Sequence, residues 1–423
     1  MTKRIKVLLM NPLFSGSLVM VIGTNIANFL AYIYHLVFGR ILGPSLYSEL
    51  AVVVSLTGLF FAMLSFFSLV TMKFVASGNE KQNKILYTLL NKKYVIPVGI
   101  LSFLVLVATP YLSEKLNISI SVLMWMGPTV LFMYLYMIHA AFIQGKLRFK
   151  EAVSLNIIGI LVRLFLGLFL YYLGFSLTGI VAGIMLSYVI VWVLGKRMLG
   201  YHTVKEKIKS SALTKNVLRY SVPVFVTTLS LSAFIAVDIV LVKYYFDPHV
   251  SGLYASLSTL GKIIFYGAIP VTFVMFPLVS KKAGKNESTI KLFVMSFIIT
   301  LSIALGILAI FALFPNAVIG MLFGNEYLEV SSLLAFFGIF SLLYVLDYMI
   351  VNYYLSAGKT KAAYFVPFGV IAQIVGIVLL HDSIEGVITA SIIATGILFI
   401  ALGIYGLATS HYLRRNIKQV VTK

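Results

Sequence analysis

The chain has 423 residues, of which 61% are hydrophobic and only 11% charged, with a formal net charge of +20 at pH 7 and no cysteine. So few charges cannot cover the surface of a soluble protein of this length. The lack of cysteine excludes a disulfide framework, a thiolate zinc site and a cysteine nucleophile.

The opening residues, MTKRIKVLLMNPLFSGSLVM, combine basic residues with an apolar stretch. That stretch runs into a full-length apolar helix instead of ending at a small-residue cleavage site, so no removable signal peptide is expected. Runs of about 20 apolar residues, enough to cross roughly 30 Å of hydrocarbon, follow one another along the chain. They fall at 16–38, 48–72, 93–112, 119–143, 153–173, 177–195, 218–244, 252–280, 290–314, 331–356, 363–381 and 386–410. Backbone groups in lipid must be bonded internally, so these twelve spans are expected to be helices, giving an all-α integral membrane protein. Very short connections at 174–176 and 382–385 support the count.

The basic residues set the expected orientation. With the N-terminus in the cytoplasm, 28 of the 33 Lys and Arg residues fall on inner segments, from Lys3, Arg4 and Lys6 to Arg414–Lys423. Only Arg40, Lys115 and Lys243 fall on outer segments, and Arg163 and Lys262 lie within spans. This asymmetry predicts a multi-pass protein of the cell (cytoplasmic) membrane with both termini cytoplasmic. The positive charge is thus accounted for by topology, and no nucleic-acid partner is expected.

The connection KRMLGYHTVKEKIKSSALTKNV, residues 196–217, divides the chain. The expected organisation is a six-helix lobe at 1–195, a basic cytoplasmic linker at 196–217, a second six-helix lobe at 218–410 and a basic tail at 411–423. An even number of spans per half makes any repeat parallel, with its pseudo-two-fold axis along the membrane normal. At an offset of 204, FGRILGPSLYSELAVVVSL (38–56) lies over VKYYFDPHVSGLYASLSTL (242–260). Pro44/Pro248, Ala51/Ala255 and Leu56/Leu260 are then identical.

Polar residues inside the spans are the candidate functional groups, because each is costly in lipid. The first span carries Asn25, Asn28, Tyr32 and His35 on one stripe, read either as hydrogen bonding between lobes or as sugar contact. Glu49 lies at the outer interface, within reach of water. Arg163 sits mid-span on a polar and small-residue stripe with Asn156, Gly159 and Gly167. It reads either as one half of a buried pair or as a lumen cation for a diphosphate or acidic sugar. Asp238 and Lys262, on consecutive spans, read as an ion pair, and Lys262 also reads, together with Arg163 from the other half, as a lumen cation for a diphosphate or acidic sugar. Asp238 also reads as a carboxylate that binds a coupling proton or cation, and Asp347, between Tyr344 and Tyr348, has the same two readings.

The loops are short and basic, without a GxxxxGK[ST] phosphate loop for ATP-driven pumping, an HExxH pair or a carboxylate cluster. No cofactor and no metal are therefore expected. A membrane polymerase or ligase would need catalytic side chains on a substantial loop, which leaves transport as the favoured class and not an enzyme.

Four stretches resemble the Wzx-type polysaccharide flippases, lipid-linked oligosaccharide exporters of the MOP (multidrug/oligosaccharidyl-lipid/polysaccharide) superfamily. They are FGRILGPSLYSELAVVVSL (38–56), VDIVLVKYYFDPHVSGLYASLSTLGKII (237–264), LFGNEYLEVSSLL (322–334) and YLSAGKTK (354–361). Tyr47-Ser48-Glu49 departs from the family's pattern, which has a glycine after the tyrosine. The resemblance implies two lobes around a central cavity that opens alternately to each side. It implies a polyprenyl-diphosphate-linked oligosaccharide as cargo, membrane lipids as surroundings and a proton or sodium gradient as the drive. Polysaccharide polymerases and glycosyltransferases of the same pathway are the implied partners. A multidrug cation antiporter of the same superfamily is the nearest rival. It favours acidic cavities, often with an acidic residue in the first span, and here that span has none.

Overall fold

The computed structural model describes residues 12–203, 213–285 and 287–421. The basic residues before Pro12, the linker stretch 204–212 and the last two residues lie outside the described residues.

Among the described residues, ten helical segments are long and apolar enough to cross a membrane. Two are too long to be single spans. Helix α1, Pro12–Ser77, has 66 residues, about 100 Å at 1.5 Å per residue, against about 30 Å of hydrocarbon. It turns at Gly43, whose φ of 66° only glycine adopts without strain, and Pro44 then starts the second span with no amide hydrogen to satisfy. The segment Phe149–Leu199 likewise holds 51 residues. It comprises α6 (Phe149–Leu170), a π-turn at Tyr171–Phe175 and α7 (Ser176–Leu199), reversing at Gly174 with φ 94°. Divided at these glycines, the ten segments hold twelve spans.

Two short helices, Glu80–Lys92 and Pro315–Leu322, join the spans without having been expected from the sequence. Helix α2, Glu80–Lys92, is amphipathic and polar overall, with Asn83, Tyr87 and Leu90 buried. It starts at a reciprocal cap: the Gln82 amide donates to Asn79 Oδ1 (2.9 Å) and the Asn79 amide to Gln82 Oε1 (3.1 Å). Helices α3 (Val95–Leu116), α4 (Ile120–Leu123) and α5 (Met126–Gly145) follow it.

The chain divides into two compact units. The first comprises residues up to Phe225 together with Phe246–Ala255. Its spans approach closely where side chains are smallest: a Cβ on Gly183 of α7 would stand 2.9 Å from the Gly167 nitrogen of α6. Gly252 lies so close to the Gly43–Pro44 turn that a Cβ there would overlap the Pro44 carbonyl. At one end of this unit, polar contacts tie α2 to the α5–α6 connection and to the end of α7. Lys146 Nζ lies 3.4 Å from a Glu80 carboxylate oxygen and 4.2 Å from the centre of the Tyr201 ring. Arg148 chelates Glu151 and donates to the Met198 carbonyl at 3.0 Å. The Tyr87 hydroxyl meets His139 Nε2 at 3.1 Å, and His139 Nδ1 donates to the Leu135 carbonyl.

The second unit comprises Val226–Tyr245 and Ser256–Lys423. Its first span is interrupted: α8 (Leu213–Phe234) ends, Ile235 and Ala236 form a turn, and α9 (Val237–Tyr245) resumes. An interruption in lipid frees carbonyls that need donors. The Tyr344 hydroxyl donates to the Leu231 carbonyl (2.8 Å), and Gln373 Nε2 to the Phe234 carbonyl (3.1 Å). Helix α10 (Pro248–Ala283) begins, like the second half of α1, with a proline. Here Asp247 Oδ1 accepts the first free amides, from His249 (2.9 Å) and Val250 (3.1 Å). Helices α11 (Ile290–Leu313), α12 (Pro315–Leu322), α13 (Leu334–Ser356), α14 (Phe365–Leu379) and α15 (Ile384–Val421) complete the unit.

Candidate functional site

The first unit carries a partly open cavity of about 280 Å³, walled by parts of α1, α5, α6 and α7. Asn156 lies near the start of α6 and Arg163 two turns further along, so the cavity follows that helix toward the middle of the span. The wall also presents Thr24 and Ser68 from α1, Gln144 from α5, and Ser187 and Tyr188 from α7. Among the described residues, no Asp or Glu lines it.

Arg163 dominates this lining. Its guanidinium carbon sits 4.7 Å from the centre of the Tyr34 ring, within cation–π range. Its Nε is buried and has no hydrogen-bond partner among the described residues. A buried N–H without an acceptor is costly. With one cation and no carboxylate, the cavity is suited to an anionic ligand.

The stripe expected on this helix divides into two parts. Asn156, Gly159 and Arg163 line the cavity. Gly167 instead lets the Phe38 ring approach, a Cβ there standing 2.9 Å from Cζ. Polar lining and close packing thus occupy successive turns of one helix.

The other candidates are placed elsewhere. Asn25, Asn28, Tyr32 and His35 are half-buried on α1 and do not line this cavity. The Tyr32 hydroxyl is buried without a hydrogen-bond partner among the described residues, and His35 Nδ1 lies 3.2 Å from the Tyr47 hydroxyl. Glu49 is half-buried.

In the second unit, Asp238 is fully buried in the first turn of α9, where the helix dipole favours a negative charge. Its charge acts on Lys262 of α10, which is half-buried. Lys262 borders a space of only about 10 Å³, shared with Tyr344 and Ser341, scarcely enough for one water. Asp347 of α13 is 0% exposed, and neither carboxylate oxygen has a hydrogen-bond partner among the described residues. Lys243, read from the sequence as an outer-segment cation, is 2% exposed in the last turn of α9.

Sequence reasoning missed the remaining cavity wall. Gln144, Tyr188, Ser187 and Ser68 are common residue types in spans and carry no charge to draw attention. Gln373 had a signal, as the lone amide within VPFGVIAQIVGIVLL (366–380).

Residues 13–283, well over half of the chain, match the family described as polysaccharide biosynthesis protein. The chain belongs to that family. The chain also resembles an uncharacterized membrane protein of Methanocaldococcus jannaschii, at 28% identity over 263 residues. That match covers 52% of this chain and 62% of the relative's length. Among solved structures, its fold is that of an inward-facing multidrug resistance MATE family transporter of the MOP superfamily. There the TM-score is 0.74 at 14% identity, covering 92% of this chain and 96% of the other. The lipid II flippase MurJ, in an inward closed conformation, gives a TM-score of 0.74 at 16% identity, over 91% of this chain and 86% of that one. A MOP superfamily transporter from Pyrococcus furiosus, described as having a binding pocket of reverse polarity, gives 0.64 at 15% identity. The match covers 98% of this chain and 99% of that one. Among the described residues, no group of three or more His, Cys, Asp or Glu could hold a metal ion.

Proposed function

We propose that the protein is a flippase. It carries a polyprenyl-diphosphate-linked oligosaccharide from the inner to the outer leaflet of the cell membrane by alternating access, for cell-surface polysaccharide synthesis. Both termini lie in the cytoplasm, as the basic asymmetry requires. The cavity of the first unit then extends from the cytoplasmic end of the spans, where the unflipped cargo waits. The observation that carries this reading is the lining itself: one guanidinium with a buried, unpartnered N–H and no carboxylate. Membership of a polysaccharide biosynthesis family supports a glycan as cargo.

The fold it shares with multidrug transporters makes an organic-cation exporter the reading to exclude. A cavity without an acidic residue gives an organic cation nothing to pair with. Asp347, buried with no hydrogen-bond partner among the described residues, is the group proposed to take up the coupling proton or sodium ion. A carboxylate cannot stay charged and unpaired at such burial, so it needs a counter-ion or a proton. Polymerases and glycosyltransferases of the pathway are the expected partners.

The test is reconstitution into liposomes with a fluorescent polyprenyl-diphosphate oligosaccharide on the inner leaflet. Flipping by the wild type, lost in Arg163→Gln at equal protein level, supports the proposal. Export of organic cations without glycan flipping would replace it with the antiporter reading.

A further inference from the structure

The cavity of the first unit holds one cation, with neutral hydrogen-bonding groups around it, and both features bear on what it takes. The Arg163 guanidinium lines the cavity beside the Tyr34 ring, and what it can offer a ligand is the edge of N–H groups in its plane. That edge is a fork that pairs bidentately with a planar carboxylate. A carboxylate brings one negative charge, which one guanidinium neutralises. A diphosphate brings more than one, and the excess would stay unpaired in a cavity whose remaining lining is uncharged.

The remaining lining suits a sugar ring. Asn156, Gln144, Ser68 and Ser187 offer amides and hydroxyls for sugar hydroxyls. Tyr188, with Tyr136 beside it (ring centres 6.0 Å apart), offers aromatic faces for the ring's C–H groups. The volume of about 280 Å³ stands at the lower end of the roughly 300–1,000 Å³ of small-molecule pockets. It is large enough for a single sugar.

We propose that this cavity binds one uronic acid residue of the glycan, its carboxylate on Arg163 and its hydroxyls on Asn156 and Gln144. The inference rests on the flippase reading for how that sugar arrives. It adds that the glycan carries a carboxylated sugar and that the lipid diphosphate is held elsewhere.

The test uses the purified full-length chain in lipid nanodiscs, titrated calorimetrically with glucuronate, glucose and inorganic pyrophosphate. Glucuronate should bind at least about tenfold more tightly than glucose, the difference being the charge-assisted pair. Arg163→Gln should abolish glucuronate binding and Arg163→Lys should weaken it. Asn156→Leu, which leaves the cation in place, should also lower glucuronate affinity and guards against misfolding at Arg163. Glucuronate binding that survives Arg163→Gln, or an Arg163-dependent pyrophosphate affinity above that for glucuronate, would overturn the proposal. So would a wild type that binds no glucuronate. Binding does not require flipping. Glucuronate held through Arg163 by a chain that flips no lipid-linked glycan would therefore count against the proposed function alone. Flipping without glucuronate binding would count against this inference alone.

Discussion

Gln373 of α14 donates from Nε2 to the Phe234 carbonyl at 3.1 Å, where the seventh span is interrupted, and to Ser391 Oγ of α15 at the same distance. One amide thus joins three spans of the second unit at the turn that precedes Asp238. Removing the donor leaves a carbonyl in an apolar interior without a partner. Gln373→Leu should therefore destabilise the protein by about 1–3 kcal/mol. Thermal unfolding in detergent, at matched concentration, reads this directly, and an unchanged midpoint would mean that the turn holds itself.

Asp238 and Lys262 should behave as one unit, because the charge of the first acts on the second. Removing one member of a buried pair strands the other, at about 3–5 kcal/mol. Asp238→Asn and Lys262→Met should each lower the yield of folded protein, and the double variant should recover part of the loss. Strictly additive losses would separate the two residues.

Asp347 has no hydrogen-bond partner among the described residues to lose. Replacing it with the neutral, nearly isosteric asparagine should leave folding within about 1 kcal/mol of the wild type. If Asp347 carries the coupling ion, flipping by Asp347→Asn should become independent of an imposed proton or sodium gradient. Retained gradient dependence would place coupling elsewhere.

The close approach of α6 and α7 tolerates no side chain at residue 183. Gly183→Val should overpack the interface and destabilise by about 1–3 kcal/mol. Gly58→Ala, at a position with nothing within 4 Å, is the control and should cost less than Gly183→Val in the same unfolding measurement.

A pH response is expected at the polar end of the first unit. The neighbouring Tyr201 and the Lys146 ammonium, 3.4 Å away, hold the Glu80 carboxyl below its ordinary range. A depressed carboxyl stabilises the folded contact above its unfolded pKa, and that contribution fades as the pH falls through the folded value. Amide hydrogen exchange around Tyr201 should therefore quicken below about pH 4, the ordinary carboxylate region. Glu80→Gln should exchange quickly at every pH, and identical profiles for the two proteins would exclude Glu80 as the tie.

Hydropathy and the placement of Lys and Arg made the spans legible, because crossing lipid imposes a length and a composition on every helix. Gly43 and Gly174 could be read as reversals for the same reason. The turn at Ile235–Ala236 could not, since it contains no glycine or proline and is held by tertiary donors far along the chain, Tyr344 and Gln373. Helix α2 was hidden by its lysines, which made it look like an ordinary basic connection despite its Asn79–Gln82 cap. Arg163 stood out because a charge in an apolar run is rare. Tyr188 did not, because it is one of 25 tyrosines and nothing local marks the one that faces a cavity.

Gly252 meets the turn at Gly43–Pro44 through backbone alone, with no room for even a methyl group. Any arrangement that keeps this contact is open only to a chain with hydrogen at that position. A side chain there would act as a wedge, removing one conformation from the protein's repertoire and leaving those in which the two turns stand apart. If the transport cycle alternates between touching and separated turns, a single added methyl would convert a reversible latch into one that never fastens.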